Sequence, residues 1–181
     1  MSITTEMIKE LRERTGAGIM DAKRALEEAG GDMERAAEIL RQQGLTRAAR
    51  KAGRATSQGL VHAYIHGGGR IGALIEVNCE TDFVARTAEF KQLVHDLAMQ
   101  VAATAPQYVS TDEIPPQALE EGAERFGSRE KFVQQVALLA QPFIKDPSRT
   151  VEDVVKEAIA RLGENIRVRR FARFELGSEE T

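Results

Sequence analysis

The sequence of 181 residues predicts an α+β chain: an N-terminal three-helix bundle, a basic linker, then a core of a three-stranded, mostly antiparallel sheet with helices on one face. Three observations predict it. Residues 4–44 carry three short apolar patterns at helical spacing, broken by glycine-containing turns. Residues 59–79 carry two alternating runs around Gly67-Gly68-Gly69, the pattern of a hairpin. Helical spacing then returns, and a β-prone, arginine-rich run closes the chain at 166–176. The boundaries expected are a bundle over 1–45, a linker over 46–58, a core over 59–177 and a disordered tail over 178–181.

Thr4 or Thr5 caps a first helix running to about Arg14, with Met7, Ile8 and Leu11 inward. Thr15-Gly16-Ala17-Gly18 is a tight turn, because glycine reaches backbone angles other residues avoid. The second helix places Ile19, Ala22, Leu26 and Ala29 on one face and ends at Gly30-Gly31. Asp32 caps the third, which carries Met33, Ala36, Ala37 and Leu40, and Gly44 is read as its stop. This bundle resembles a ubiquitin-associated type, with a small alanine-rich core. Residues 45–58 hold Arg47, Arg50, Lys51 and Arg54 and no acidic residue. They read as a solvated tether rather than a phosphate-binding arm, because no aromatic residues are interleaved for base stacking.

In the first strand Val61, Ala63 and Ile65 share a face; in the second, Ile71, Ala73, Ile75, Val77 and Cys79 do. Asn78-Cys79-Glu80-Thr81-Asp82-Phe83-Val84-Ala85 then joins a strand to a helix capped by Thr87 and carrying Phe90, Leu93, Val94, Leu97, Ala98 and Val101. A charged residue beside a large aromatic on such a connection could bury both in a partner. For an isolated Asp-Phe pair the local reading is favoured, with Phe83 folded back as a hydrophobic staple and Asp82 as a cap. Further helices are expected over about 117–125 and after Ser128, where Phe132, Val133, Val136, Leu139 and Ala140 recur. Gln141 to Ser148 reads as a loop with two prolines. Thr150 and Asp153 nearly form a capping box for the helix of Val151 to Leu162, ended by Gly163. The last strand spans Ile166 to Leu176. Leu60, Tyr64, Leu74 and Phe171, alternating with His62, Glu76, Arg169 and Arg173, are expected on a sheet face with no helices left to cover it. That face is expected to pack on a second copy of the chain.

Composition narrows the function. Basic and acidic residues nearly balance, 25 against 28, for a net charge of −3, which argues against direct nucleic-acid binding. A single cysteine excludes an internal disulfide and fits a reducing compartment. No apolar run reaches membrane-spanning length, and the first residues lack the features of a signal peptide, so a cytoplasmic location with no membrane contact is expected. Cys79 with His62, His66 and His95 invites a thiol-enzyme reading, but Cys79 ends a strand on its apolar face. His62 and His66 lie four residues apart on one strand, about 13 Å, too far for one metal ion. His95 falls on the exposed side of its helix. The glycine run precedes a strand and lacks a following Lys-Ser/Thr, so it is no phosphate loop. A binding protein without cofactor or metal is favoured over an enzyme.

Two long motifs carry a resemblance. Leu11-Arg12-Glu13-Arg14-Thr15-Gly16-Ala17-Gly18-Ile19-Met20-Asp21 is similar to the N-terminal signature of the elongation factor Ts family, and Glu76 to Ala85 to its second signature. Gln141-Pro142-Phe143, Gly163-Glu164-Asn165-Ile166 and Arg169-Arg170 resemble its C-terminal part. The resemblance implies a guanine nucleotide exchange factor that binds elongation factor Tu and speeds release of its GDP without covalent chemistry. It implies that Thr81, Asp82, Phe83 and Val84 wedge into the partner's nucleotide domain and disturb its magnesium site. It implies that the bundle grips the same domain in or beside Leu11, Arg12, Thr15, Gly16, Ala17, Ile19 and Met20, with Ile8 and Leu11 read as core by spacing. The chain looks like the short form, with one core subdomain and dimerisation through the sheet, and is shortened further at 122–130. The competing class is a non-exchange adaptor built from the bundle and a dimerising sheet.

Overall fold

The computed structural model describes residues 3–178. The bundle is α1 (Thr5–Thr15), α2 (Ile19–Glu28) and α3 (Met33–Lys51). Thr4 and Asp32 cap α1 and α3 through side-chain oxygens that accept from Met7 N and Arg35 N. Leu11, Ala22, Ala25, Leu26, Ala36 and Leu40 form its small core.

Helix α3 corrects the reading of residues 45–58. It passes through Gly44 and ends only at Lys51. Gly44 is there for close approach: a Cβ at that position would lie 3.2 Å from Cβ of Ala160. Four residues on, Ala48 is buried in the core of the second half of the chain. The basic side chains are used internally as well. Arg47 pairs with Asp21 at 3.1 Å, Arg54 with Glu80 at 3.7 Å, and Lys51 donates to the Gly163 carbonyl.

Strands β1 (Gln58–His66) and β2 (Ile71–Cys79) form the expected hairpin. Then come the single turn α4 (Asp82–Ala85), the long α5 (Ala88–Thr104), α6 (Pro116–Phe126) and α7 (Arg129–Val136). The loop expected at 141–148 is instead a second hairpin, β3 (Pro142–Phe143) and β4 (Asp146–Thr150), leading into α8 (Val151–Leu162) and β5 (Ile166–Glu175). The buried amide of Gln100 on α5 secures that hairpin: its oxygen accepts from Ile144 N and its nitrogen donates to the Pro142 carbonyl. The last turn expected for α7 is a separate 3-10 stretch, Leu138–Ala140. Ser178 hydrogen-bonds back to the Glu175 carbonyl; the rest of the expected disordered tail, 179–181, lies outside the described residues.

The main sheet has the order β1-β2-β5 and both pairings are antiparallel. Helix α5 lies on its inner face, where Ala73, Ile75, Val77, Cys79, Ile166 and Val168 are buried with Phe90, Leu97 and Val101. The open face differs from the expected one. Leu60 and Tyr64 sit opposite Val77 and Ala73 and pack on the core, as does Phe171 opposite Ile75. Of the four residues expected on the open face, only Leu74 is there, beside Val61, Ile65 and Phe174, all exposed. Two causes explain the reversal. Both faces of β1 are apolar, so alternation alone does not choose between them. In β5 a bulge at Arg169, where the register shifts between Glu76 and Val77, swaps the inward parity from Ile166 and Val168 to Phe171 and Arg173.

Candidate functional site

The connection after β2 is a one-turn helix with its neighbours split between solvent and core. Thr81 is its N-cap, in extended conformation, and its hydroxyl accepts from Val84 N. Asp82 is therefore not the cap; it makes an exposed ion pair with Arg86 at 2.9 Å. Val84 and Ala85 are buried with Cys79 and Phe90, while Phe83 is 83% exposed. Three to four residues per turn require this split once Val84 and Ala85 are anchored: Phe83 must point away. It is not a staple on α5.

The N-terminal motif divides in the same way. Leu11 is fully buried in the bundle core. Thr15 donates its hydroxyl to the Leu11 carbonyl at 2.7 Å and accepts from Ala17 N at 3.3 Å. Gly16 is a left-handed C-cap, φ +68°, and a Cβ there would lie 2.4 Å from Cδ of Arg161, which crosses over it from α8. Ala17 is half-buried against the bundle core, and its carbonyl accepts from Arg12 Nε. Ile19 departs from the inward face expected of it: it is the first residue of α2, and the buried stripe begins at Ala22. Ile19 and Met20 are 56% and 64% exposed. Leu11, Thr15 and Gly16 thus build the turn, and Arg12, Ile19 and Met20 face outward.

Between this turn, α3 and α8 lies an open cleft of about 690 Å³. Its charges are matched. Arg14 meets Glu34, Arg41 meets Glu38, and Arg149 meets Glu157. Hydrogen bonds from Arg41, then Gln42, hold the Glu38 carboxyl down at about 2.

The candidate chemical groups are accounted for by packing. His95 is half-buried rather than exposed, and its Nδ1 lies 3.1 Å from Nε2 of His62, across from β1. No group of three or more His, Cys, Asp or Glu that could hold a metal occurs among the described residues. Burial pushes the Cys79 thiol above its ordinary range, with the Glu164 carboxylate adding to the effect, and Sγ donates to the Thr81 carbonyl. A thiol so placed is a poor nucleophile. Sequence reasoning missed Arg161, Glu80 and Glu164, which join segments far apart in the chain. Glu80 lies within the second signature and Glu164 within the Gly163-Glu164-Asn165-Ile166 motif, but no pattern pointed to Arg161. No helix among the described residues is long and apolar enough to cross a membrane.

The described residues thus present an exposed aromatic on a turn anchored in the core. The model of the family "Elongation factor TS" matches residues 34–129 and 125–178. An elongation factor Ts from Carboxydothermus hydrogenoformans is 58% identical over 97% of this chain and 89% of its own length. One from Coprothermobacter proteolyticus is 48% identical over 98% of this chain and all of its own, and one from a Synechococcus strain is 57% identical over 98% and 70%. The chain belongs to the elongation factor Ts family. It is accordingly a non-catalytic nucleotide-exchange factor of translation elongation, acting on elongation factor Tu. The two pieces of the family match overlap at 125–129, across the turn from the end of α6 to the start of α7.

Proposed function

We propose that exchange is driven by a wedge: Thr81, Asp82, Phe83 and Val84 enter the nucleotide domain of elongation factor Tu and loosen the magnesium and phosphate contacts that hold GDP. The observation that carries this reading is the 83% exposure of Phe83 on a turn whose next two residues are buried. A large exposed ring on a fixed support loses little entropy on insertion, so its burial is available to displace something in the partner.

The wedge is not enough alone. Speeding release about a thousandfold means lowering a barrier by about 4 kcal/mol. Burying one phenylalanine contributes about 1.5–3 kcal/mol. The bundle supplies a second contact through Arg12, Ile19 and Met20, with Ala17 beside them and Leu11, Thr15 and Gly16 shaping the turn. Linkage makes the effect reciprocal: a factor that weakens nucleotide binding is itself weakened by nucleotide, so rebinding of nucleotide ejects it.

The open sheet face belongs to a second copy of the chain. Val61, Ile65, Leu74 and Phe174 give it exposed apolar surface with no helix over it, and aligned sheets bury such faces together. This replaces the face expected from Leu60, Tyr64 and Phe171.

Release of fluorescent GDP from elongation factor Tu, with and without the chain, tests the exchange reading. The chain accelerates release in magnesium. With magnesium chelated, release by the partner alone is already fast and the acceleration factor falls. An unchanged factor in chelator would contradict action through the magnesium site.

A further inference from the structure

We propose that Glu164, in the corner between α8 and β5, is a positioning residue that sets the orientation of the Asp82-Phe83 tip. The proposal rests on the wedge reading given above.

The Glu164 carboxylate reaches across to the start of α4. One oxygen accepts from Glu80 N at 3.1 Å and Thr81 N at 2.9 Å, and the other accepts the Thr81 hydroxyl proton. Giving its proton to Glu164 turns the Thr81 oxygen's lone pairs toward Val84 N, the cap bond of the turn. The arrangement is returned in kind: the Glu80 carboxylate accepts from Asn165 N at 2.7 Å. Asn165, buried, donates its side-chain amide to the carbonyls of Ala52 and Arg54. Lys51, the last residue of α3, donates to the Gly163 carbonyl. Residues 163–165 therefore hold both the base of the tip and the segment leaving α3.

These contacts act on orientation rather than on whether the turn exists. Val84, Ala85 and Cys79 already anchor it in the core. Glu164 is only half-buried and bonds only polar atoms of residues 80 and 81. Charge-assisted hydrogen bonds are the directional, stronger kind, and three on one carboxylate leave the base of the tip little freedom. Gly163 makes the corner possible: it takes the left-handed cap conformation, φ +77°, from which the chain turns Glu164 toward β2.

The chain has no tryptophan, so Phe83→Trp places a single tryptophan at the tip, excited selectively over the two tyrosines at the red edge. In that background, Glu164→Ala is expected to raise the amplitude of fast local motion in time-resolved anisotropy of the free chain. In the Phe83 chain, Glu164→Ala is expected to lower the maximal GDP-release rate about tenfold, the scale of one charge-assisted bond. The half-saturating concentration should change less than about twofold, since a residue that acts on the tip couples to the tip and not to distant contacts. Glu164→Gln, which keeps one accepting oxygen, should fall between, and serves if the alanine variant does not fold. Unchanged anisotropy, or a rate loss fully recovered at higher concentration, overturns the proposal. If Phe83→Ala alone leaves release untouched, the wedge reading fails, while anisotropy still decides whether Glu164 positions residue 83.

Discussion

Phe83 and Val84 are adjacent in sequence and opposite in environment, one in solvent and the other in the core. The motif around them was legible in the sequence; the direction of the ring was not, because a staple and a wedge share the same residues. Buried Val84 and Ala85 decide it, and they are buried against β1, β2 and α5. Gly16 shows the same limit. Its turn was evident from Gly16 and Gly18, but its contact with Arg161 joins residues from opposite ends of the fold. Gly16→Ala meets both a left-handed backbone and the Arg161 side chain, and is expected to cost about 1–3 kcal/mol in denaturant unfolding. The face reversal of Leu60, Tyr64 and Phe171 is also a residue-scale failure. For Leu60 and Tyr64 both faces of β1 are apolar, and for Phe171 one bulge residue, Arg169, flips parity, which no pattern of period two contains.

At the scale of elements, helix starts were read well because capping is local. Thr4, Asp32, Thr87, Ser128 and Thr150 all cap the helices that follow them. The Thr150–Asp153 pair is a full capping box, each side chain bonding the other's backbone N–H. Thr150→Ala should lower stability by about 0.5–2 kcal/mol, read from the denaturant midpoint. Helix ends were read less well: Gly44 looked like a stop because glycine often is one, and only the approach of α8 explains a glycine within α3. The link between α2 and α3 is titratable. A hydrogen bond from Arg47, followed by one from Arg24, holds the Asp21 carboxyl below its ordinary value of 3.8. A depressed carboxyl stabilises the fold above its unfolded value, and that gain disappears as pH falls through the folded value. Asp21→Asn should therefore lower the denaturant midpoint at pH 7, and its gap to the unsubstituted chain should close as pH drops below 3.8.

Over the whole molecule, two outward surfaces, the tip and the bundle's Ile19-Met20 corner, are joined through α3, α8 and the 163–165 corner, while the open sheet face points elsewhere. The α+β class and the strand order of the hairpin followed from periodicity. The contact between bundle and core did not, since it runs through arginine side chains and a glycine that carry no period. The proposed dimer predicts a doubled mass in sedimentation at micromolar concentration, and Phe174→Asp should return it to the monomer, because a charge on a dry sheet face must lose its water. The exposed Phe83 ring is proposed to supply one of the two contacts that drive exchange. The most direct measurement is fluorescent-GDP release from elongation factor Tu at saturating Phe83→Ala, with thermal unfolding of the free variant alongside. Release is expected to slow roughly tenfold to a hundredfold, the kinetic equivalent of one buried phenylalanine, with the thermal midpoint unchanged. Release as fast as with the unsubstituted chain would contradict that role of Phe83.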